Sequence, residues 1–206
     1  MSLKLLRMIR LTAFVLIAAL AGFYVNVLLQ REPAPAPTLE VAGPESIEPV
    51  VTLPKFVLAD VVGNPRSIDE FTGRPLLINF WATWCAPCLR EMPMFETVWQ
   101  ERNSDHSLQI VGIAIDRAED VGPYIEKTGV TYPILVGQSD AMEAAGSFGP
   151  DFAGLPFTIF VSADGQILLS HSGALLREQL DDILSVVDEV ASGGLSVIDA
   201  RAQLGR

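Results

Sequence analysis

The only two cysteines of this 206-residue chain, Cys85 and Cys88, stand in the run FWATWCAPC. Two thiols at that spacing support two kinds of chemistry. They can exchange a disulfide for two thiols, or they can supply half of a metal site, because Cys-x-x-Cys is also a zinc-ligand pair. A structural zinc needs two further ligands, and the only histidines, His106 and His171, lie far apart with no second cysteine pair between or beyond them. Exchange needs less. The apolar run PLLINFWATW leads straight into CAPCLREMPMFETVW, whose apolar spacing is helical. That places Cys85 at the start of a helix, where unpaired backbone N–H groups and the helix dipole favour a thiolate. Cys88 follows at i+3, on the same face and close enough to attack a mixed disulfide. The spacing therefore predicts Cys85 as the attacking thiol and Cys88 as the resolving one.

These two residues must be positioned by the elements around them. PLLINFWA and LQIVGIAID are continuous apolar runs, as central strands buried on both faces would be. FVLADVVGNPRSI reads as two short strands about a turn at Gly63-Asn64-Pro65. Asp120 to Thr128 reads as a helix closed by Gly129, YPILV as a strand, and AMEAAGSFG as a short helix. PFTIFVSADGQILLSHSG is a hairpin turning at Ala163 to Gln166. Leu175 to Val190 is an amphipathic helix with Leu176, Leu180, Ile183, Leu184 and Val187 on its apolar face. Strands alternating with helices, then a hairpin and a helix, predict an α/β sandwich about a mixed sheet. Residues 193–206 read as a short helix or a loose tail.

Ahead of this body stand a basic N-terminus (1–10), a charge-free apolar run (11–30) and a proline-rich stretch (31–51). The apolar run is about the ~20 residues that a helix needs to cross a bilayer. Lys4, Arg7 and Arg10 precede it, which predicts a cytoplasmic N-terminus and an exported domain. Ala19-Leu20-Ala21 resembles a signal-peptide cleavage site, so a cleaved leader is the alternative; the run continues through Leu29, which favours an uncleaved anchor. The repeated prolines predict an extended spacer. From Glu32 onward the 25 acids face 10 bases, since four of the 14 lie earlier, so the body carries a net charge of −15. A surface this acidic repels phosphate backbones and excludes nucleic acid as a partner.

Three stretches carry a family resemblance: FVLADVVGNPRSI, NFWATWCAPCLREMP and AGLPFTIFVSADGQI. Over about residues 52–192 the chain resembles the thioredoxin superfamily, and within it the membrane-anchored TlpA/ResA/CcmG-like branch. The resemblance implies a thioredoxin-like three-layer sandwich with a mixed central sheet, preceded here by a single transmembrane helix. It also implies an inserted segment, running from LQIVGIAID to SFG, and a redox-active Cys85–Cys88 disulfide with no other cofactor.

Residue by residue, Pro156 matches the family's cis-proline, which would present the Leu155 backbone to a client strand. Phe157 stands where the family normally has threonine, and would make the groove more apolar. The resemblance sets Trp84, Ala86, Pro87, Leu155 and Phe157 around the substrate. Asn79 occupies the place of the buried aspartate of ordinary thioredoxins and cannot take up a proton; Glu91, in the pattern CxxCxxExP, is the replacement base or pKa modulator. The alternative for Glu91 is an exposed helical side chain. Neither Ala86 nor Pro87 brings positive charge, so the pair is expected to be a reductant, nearer about −270 mV than about −120 mV.

A reductant outside the cytoplasm needs electrons, and the family implies a membrane thiol-electron transporter as donor. Its clients would be the haem-binding cysteines of apocytochromes c or the copper-site cysteines of respiratory oxidases. The GLPF sequence here departs from the GAPE-like pattern of the CcmG type. A disulfide oxidase or isomerase, or a non-enzymatic carrier of copper or zinc on the two thiolates, remain as alternatives.

Overall fold

A computed structural model describes residues 20–26 and 51–205. Residues 20–26 are helical and exposed, and among the described residues no helix is long and apolar enough to cross a membrane. The remainder of the expected anchor, the basic N-terminus and nearly all of the proline-rich stretch lie outside the described residues.

The body follows the order β1 (Val57–Asp60), β2 (Pro65–Ser67), a 3-10 turn (Ile68–Phe71), β3 (Leu76–Trp81), α1 (Ala86–Arg102), β4 (Gln109–Ile115), α2 (Ala118–Thr128), β5 (Ile134–Gly137), α3 (Ser139–Gly146), β6 (Phe157–Val161), β7 (Ile167–Ser172), α4 (Arg177–Ala191) and α5 (Val197–Gln203). The strands form one mixed sheet in the order β2-β1-β5-β4-β3-β6-β7. β3 and β4 run parallel, from Leu76 opposite Gln109 to Trp81 opposite Ala114. β6 lies antiparallel on the other edge of β3, with Asn79 opposite Thr158.

Alternation along β3 divides the core. Leu77 and Trp81 face the layer that contains Cys88, Phe95, Leu180, Leu184 and Ala200, whereas Leu76, Ile78 and Phe80 face Ile68, Ala141, Ala145 and Phe148. Two helical layers thus cover one sheet, as the three-layer reading requires. Asn79 falls on the first face, between two large apolar side chains, and is fully buried.

Three details differ from the sequence reading. Leu176 is 64% exposed rather than on the apolar face of its helix. The helix begins at Arg177, two residues after the expected Leu175; Leu176 is extended at φ −91° and ψ 158°, and helical periodicity does not reach it. Its backbone N–H donates to Gln179 Oε1 at 2.9 Å, and Leu175 takes the buried position instead. Second, β4 pairs along the whole of β3 with all its residues buried, which is the central strand its apolar run predicts, and so it does not stand apart as the opening of an inserted segment. Third, Pro65 opens β2 instead of sitting in the preceding turn.

Of the two readings for residues 193–206, the chain takes the helical one. Ser196 caps α5 by accepting from the Asp199 N–H at 3.1 Å, and Arg201 donates to the carbonyls of Ile167 (2.7 Å) and Val51 (2.8 Å). Phe148, just after α3, contacts the rings of Phe80 (5.8 Å), Phe157 (6.2 Å) and Phe56 (6.3 Å). Phe148→Ala should therefore cost about 3–5 kcal/mol in urea unfolding. A loss under about 1 kcal/mol would show that α3 and its flank are not part of the core.

Candidate active site

β3 ends at Trp81, and the chain turns through Ala82–Cys85 before α1 begins. The turn is closed by the Cys85 N–H donating to the Ala82 carbonyl at 3.1 Å. Cys85 is the N-cap of α1, with β-region backbone at φ −89° and ψ 91° and no side-chain cap. Pro87 falls in the first turn, where a missing N–H costs nothing. The free amide groups of that turn therefore point toward the site.

Cys85 and Cys88 are joined in a disulfide with Cα atoms 5.3 Å apart. Cys88 is fully buried, Cys85 is 5% exposed, and Trp84 beside it is 67% exposed. Attack from outside must thus come on Cys85. Leu155 packs against both faces of the core, and the Leu155–Pro156 bond is cis. Pro156 and Phe157 are buried, so of the five residues expected around a substrate only Trp84 and Ala86 are exposed; Pro87 and Leu155 are half-buried.

On the cysteine side of the sheet a few polar side chains are buried among the apolar ones. Asn79 Nδ2 donates to Thr158 Oγ1 at 3.0 Å, while Asn79 Oδ1 has no protein partner. Glu91, one turn beyond Cys88, is buried at 3% exposure rather than facing solvent. Its Oε1 accepts a hydrogen bond from the Leu175 N–H, just before α4, and its Oε2 is left without a protein partner. Burial pushes the Glu91 carboxyl up to about 7, against the smaller opposing effects of the Leu175 N–H and the Arg90 charge. Tyr132 OH and Trp81 Nε1, on the same side of the sheet, are also buried without protein partners, and burial raises the Tyr132 phenol. Among the described residues no group of three or more His, Cys, Asp or Glu side chains is arranged to hold a metal ion.

Sequence reasoning missed Asp116. It follows β4 directly and is 9% exposed. Its Oδ2 accepts from the Thr83 N–H at 2.9 Å and the Thr83 hydroxyl at 2.5 Å, and its Oδ1 accepts from the Arg117 N–H at 2.9 Å. Burial alone would raise this carboxyl, but those hydrogen bonds and the Arg117 charge hold it below the ordinary carboxylate value. The available signal was position: a carboxylate at the C-terminal end of a buried parallel strand, where open α/β sheets place their ligands. An open groove of about 460 Å³ runs there beside Trp84, lined by Ile115, Asp116, Arg117, Gln138, Ser139 and Met142. A larger depression of about 680 Å³ adjoins it at Asp116 and Arg117 and reaches Asp60, but includes neither cysteine.

A mixed sheet that delivers a Cys-x-x-Cys disulfide to the N-terminus of a helix defines a thioredoxin-like thiol-disulfide oxidoreductase. The chain belongs to the AhpC/TSA family, whose model matches residues 51–170. It is similar to the thiol-disulfide oxidoreductase ResA of Geobacillus kaustophilus, at 28% identity over 63% of this chain and 72% of that one. The ResA of Halalkalibacterium halodurans is 26% identical over 86% of this chain and 93% of that one. Among solved structures, a thioredoxin-family thiol:disulfide interchange protein from Chlorobium tepidum superposes with a TM-score of 0.59 at 26% identity, covering 67% of this chain and 96% of that one. A putative thiol:disulfide interchange protein DsbE from the same organism shares the fold, with a TM-score of 0.60 at 19% identity over 69% and 99%. These likenesses place the chain in the TlpA/ResA/CcmG-like group of the thioredoxin superfamily.

The interior fits Glu91 in its protonated form. Below the ordinary value of 4.5, folded and unfolded chains both hold the proton; between there and about 7 the unfolded chain ionises first, so stability falls as pH rises. Glu91→Gln is neutral throughout and should lack this slope. Between pH 5 and 8 the oxidised wild type should lose roughly 2 kcal/mol relative to the variant, a figure that allows for screening. Denaturant curves that stay parallel over that range would contradict the assignment.

Proposed function

We propose that this protein is a membrane-anchored reductase of protein disulfides outside the cytoplasm, with residues 52–192 as its catalytic domain. The observation that carries the reading is Cys85 at the N-cap of α1, bonded to a fully buried Cys88 and flanked by no positive charge at Ala86 or Pro87. Amide groups at the helix start favour the Cys85 thiolate without the additional cations that would make the pair a strong oxidant.

In the reduced protein the Cys85 thiolate attacks one sulfur of a client disulfide. A Cys85–client bond forms and the other client sulfur leaves as a thiolate. Cys88 loses its proton and attacks Cys85 Sγ; the second client sulfur leaves, and the Cys85–Cys88 disulfide closes. Two electrons have passed to the client. Glu91 receives the Cys88 proton: it lies one turn away in the helix, its Oε2 has no protein partner, and it ionises near neutrality. Asn79, the polar side chain in β3 below, has no acidic proton to exchange in this range.

Leu155, ahead of cis-Pro156, offers its backbone to an extended client segment, and Trp84, Ala86 and Pro87 flank it; Phe157, expected to line the groove, is instead fully buried in the opposite core layer against Phe80 and Phe148. The electron donor is a membrane dithiol transporter, and the clients are cysteine pairs that must be free to take haem or copper. The thiol-disulfide oxidoreductase name carried by the ResA relatives supports exchange at protein cysteine pairs.

In the full chain, Cys88→Ser should accumulate client proteins linked through Cys85, and Cys85→Ser should accumulate none. Glu91→Gln should slow resolution roughly 100-fold and abolish the rate step near pH 7. Unchanged turnover with an unchanged pH profile would reject Glu91 as the proton acceptor.

A further inference from the structure

The turn that carries Cys85 has a second anchor, and it comes from the far side of the β3–β4 pair. Inside the turn, the Cys85 N–H meets the Ala82 carbonyl. From outside, Asp116 holds Thr83 twice, through its backbone N–H and its hydroxyl. Asp116 is itself fixed. Its N–H donates to the Gly137 carbonyl at the end of β5 at 2.9 Å, and its other carboxylate oxygen accepts from the Arg117 N–H at the start of α2. The Asp116 backbone is thus tied to β5, and its carboxylate joins the start of α2 to the residue two before the nucleophile. Thr83 is the residue through which the sheet grips the turn: Ala82 has no polar side chain, and the Trp84 side chain is exposed.

We propose that Asp116 is a positioning residue for thiol-disulfide exchange, which holds the Thr83–Cys85 turn so that Cys85 stays within bonding reach of Cys88. The inference rests on the reading of Cys85 and Cys88 as an exchanging pair. It adds that the stability of their disulfide depends on a carboxylate that lies 28 residues beyond Cys88 in the chain, just after another strand. Cys88 is set rigidly in α1, buried against the core. Cys85 is the half-in residue of the same helix, and its freedom is limited by the turn behind it. Loosening that turn lowers the effective concentration of one sulfur at the other, so closure of the disulfide becomes less favourable while the reduced form is affected less.

The test is the equilibrium constant of the full chain in dithiothreitol buffers, read as the fraction of oxidised pair. Asp116→Ala should lower the constant for disulfide closure about tenfold, which is about 30 mV toward a more oxidising pair. Asp116→Asn keeps an acceptor for the Thr83 N–H and should recover most of that loss. Thr83→Val removes only the hydroxyl contact and should give a smaller shift in the same direction, whereas Thr83→Ser should match the wild type. A role confined to general stability would lower the unfolding temperature and leave the closure constant of the folded protein unchanged. That result, in Asp116→Ala or, should it not fold, in Thr83→Val, overturns the proposal. Absence of any exchange by the wild type would instead remove the underlying reading of the pair.

Discussion

The junction of β3 with α1 is the constraint on which the rest of the molecule turns. A strand buried on both faces must end, and within four residues the chain must begin a helix whose own face is buried on the same sheet. Cys85 sits at that change of direction because an N-cap residue is half outside the helix: its backbone is extended, and it alone of the pair retains any access to solvent. Cys88, one turn inward, is sealed. The division of labour between attacking and resolving thiol follows from this geometry before any electrostatic argument is made. What surrounds the junction then keeps it in place: β4 and β6 clamp β3 from both edges, and α4 closes over α1 near Glu91.

Two carboxylates flank the junction and are put to opposite uses by their surroundings. Asp116 is supplied with three hydrogen-bond donors and stays ionised, so it can serve as a fixed acceptor. Glu91 is given one donor and a dry environment, so its proton is held into the neutral range. The difference comes from the number of N–H and O–H groups each acid meets, since both are largely removed from water. Asn79 and Thr158 bond to each other across β3 and β6, and neither is an acid.

Much of this was legible in the sequence where local pattern decides the outcome. The uninterrupted apolar runs of β3 and β4, the hairpin about Asp164-Gly165 and the helix from Ala86 all carry their signals within a few residues. So does the Cys-x-x-Cys spacing. Glu91 was legible only as a motif position. Its burial depends on a backbone N–H at Leu175, 84 residues away, and on its own chemistry glutamate belongs on the surface. Asp116 was overlooked for the same reason: a single acid after a strand has no local partner, and Thr83 lies 33 residues before it. Leu176 failed differently, because the periodic pattern extends on paper upstream of the point where the helix begins.

The central claim is that the junction holds a reducing pair. The most direct measurement is the reduction potential of Cys85–Cys88 in the full chain, equilibrated in dithiothreitol buffers at neutral pH and read by trapping free thiols. The account predicts a value near about −270 mV. A value near about −120 mV would contradict it, and would make the pair an oxidant of its clients.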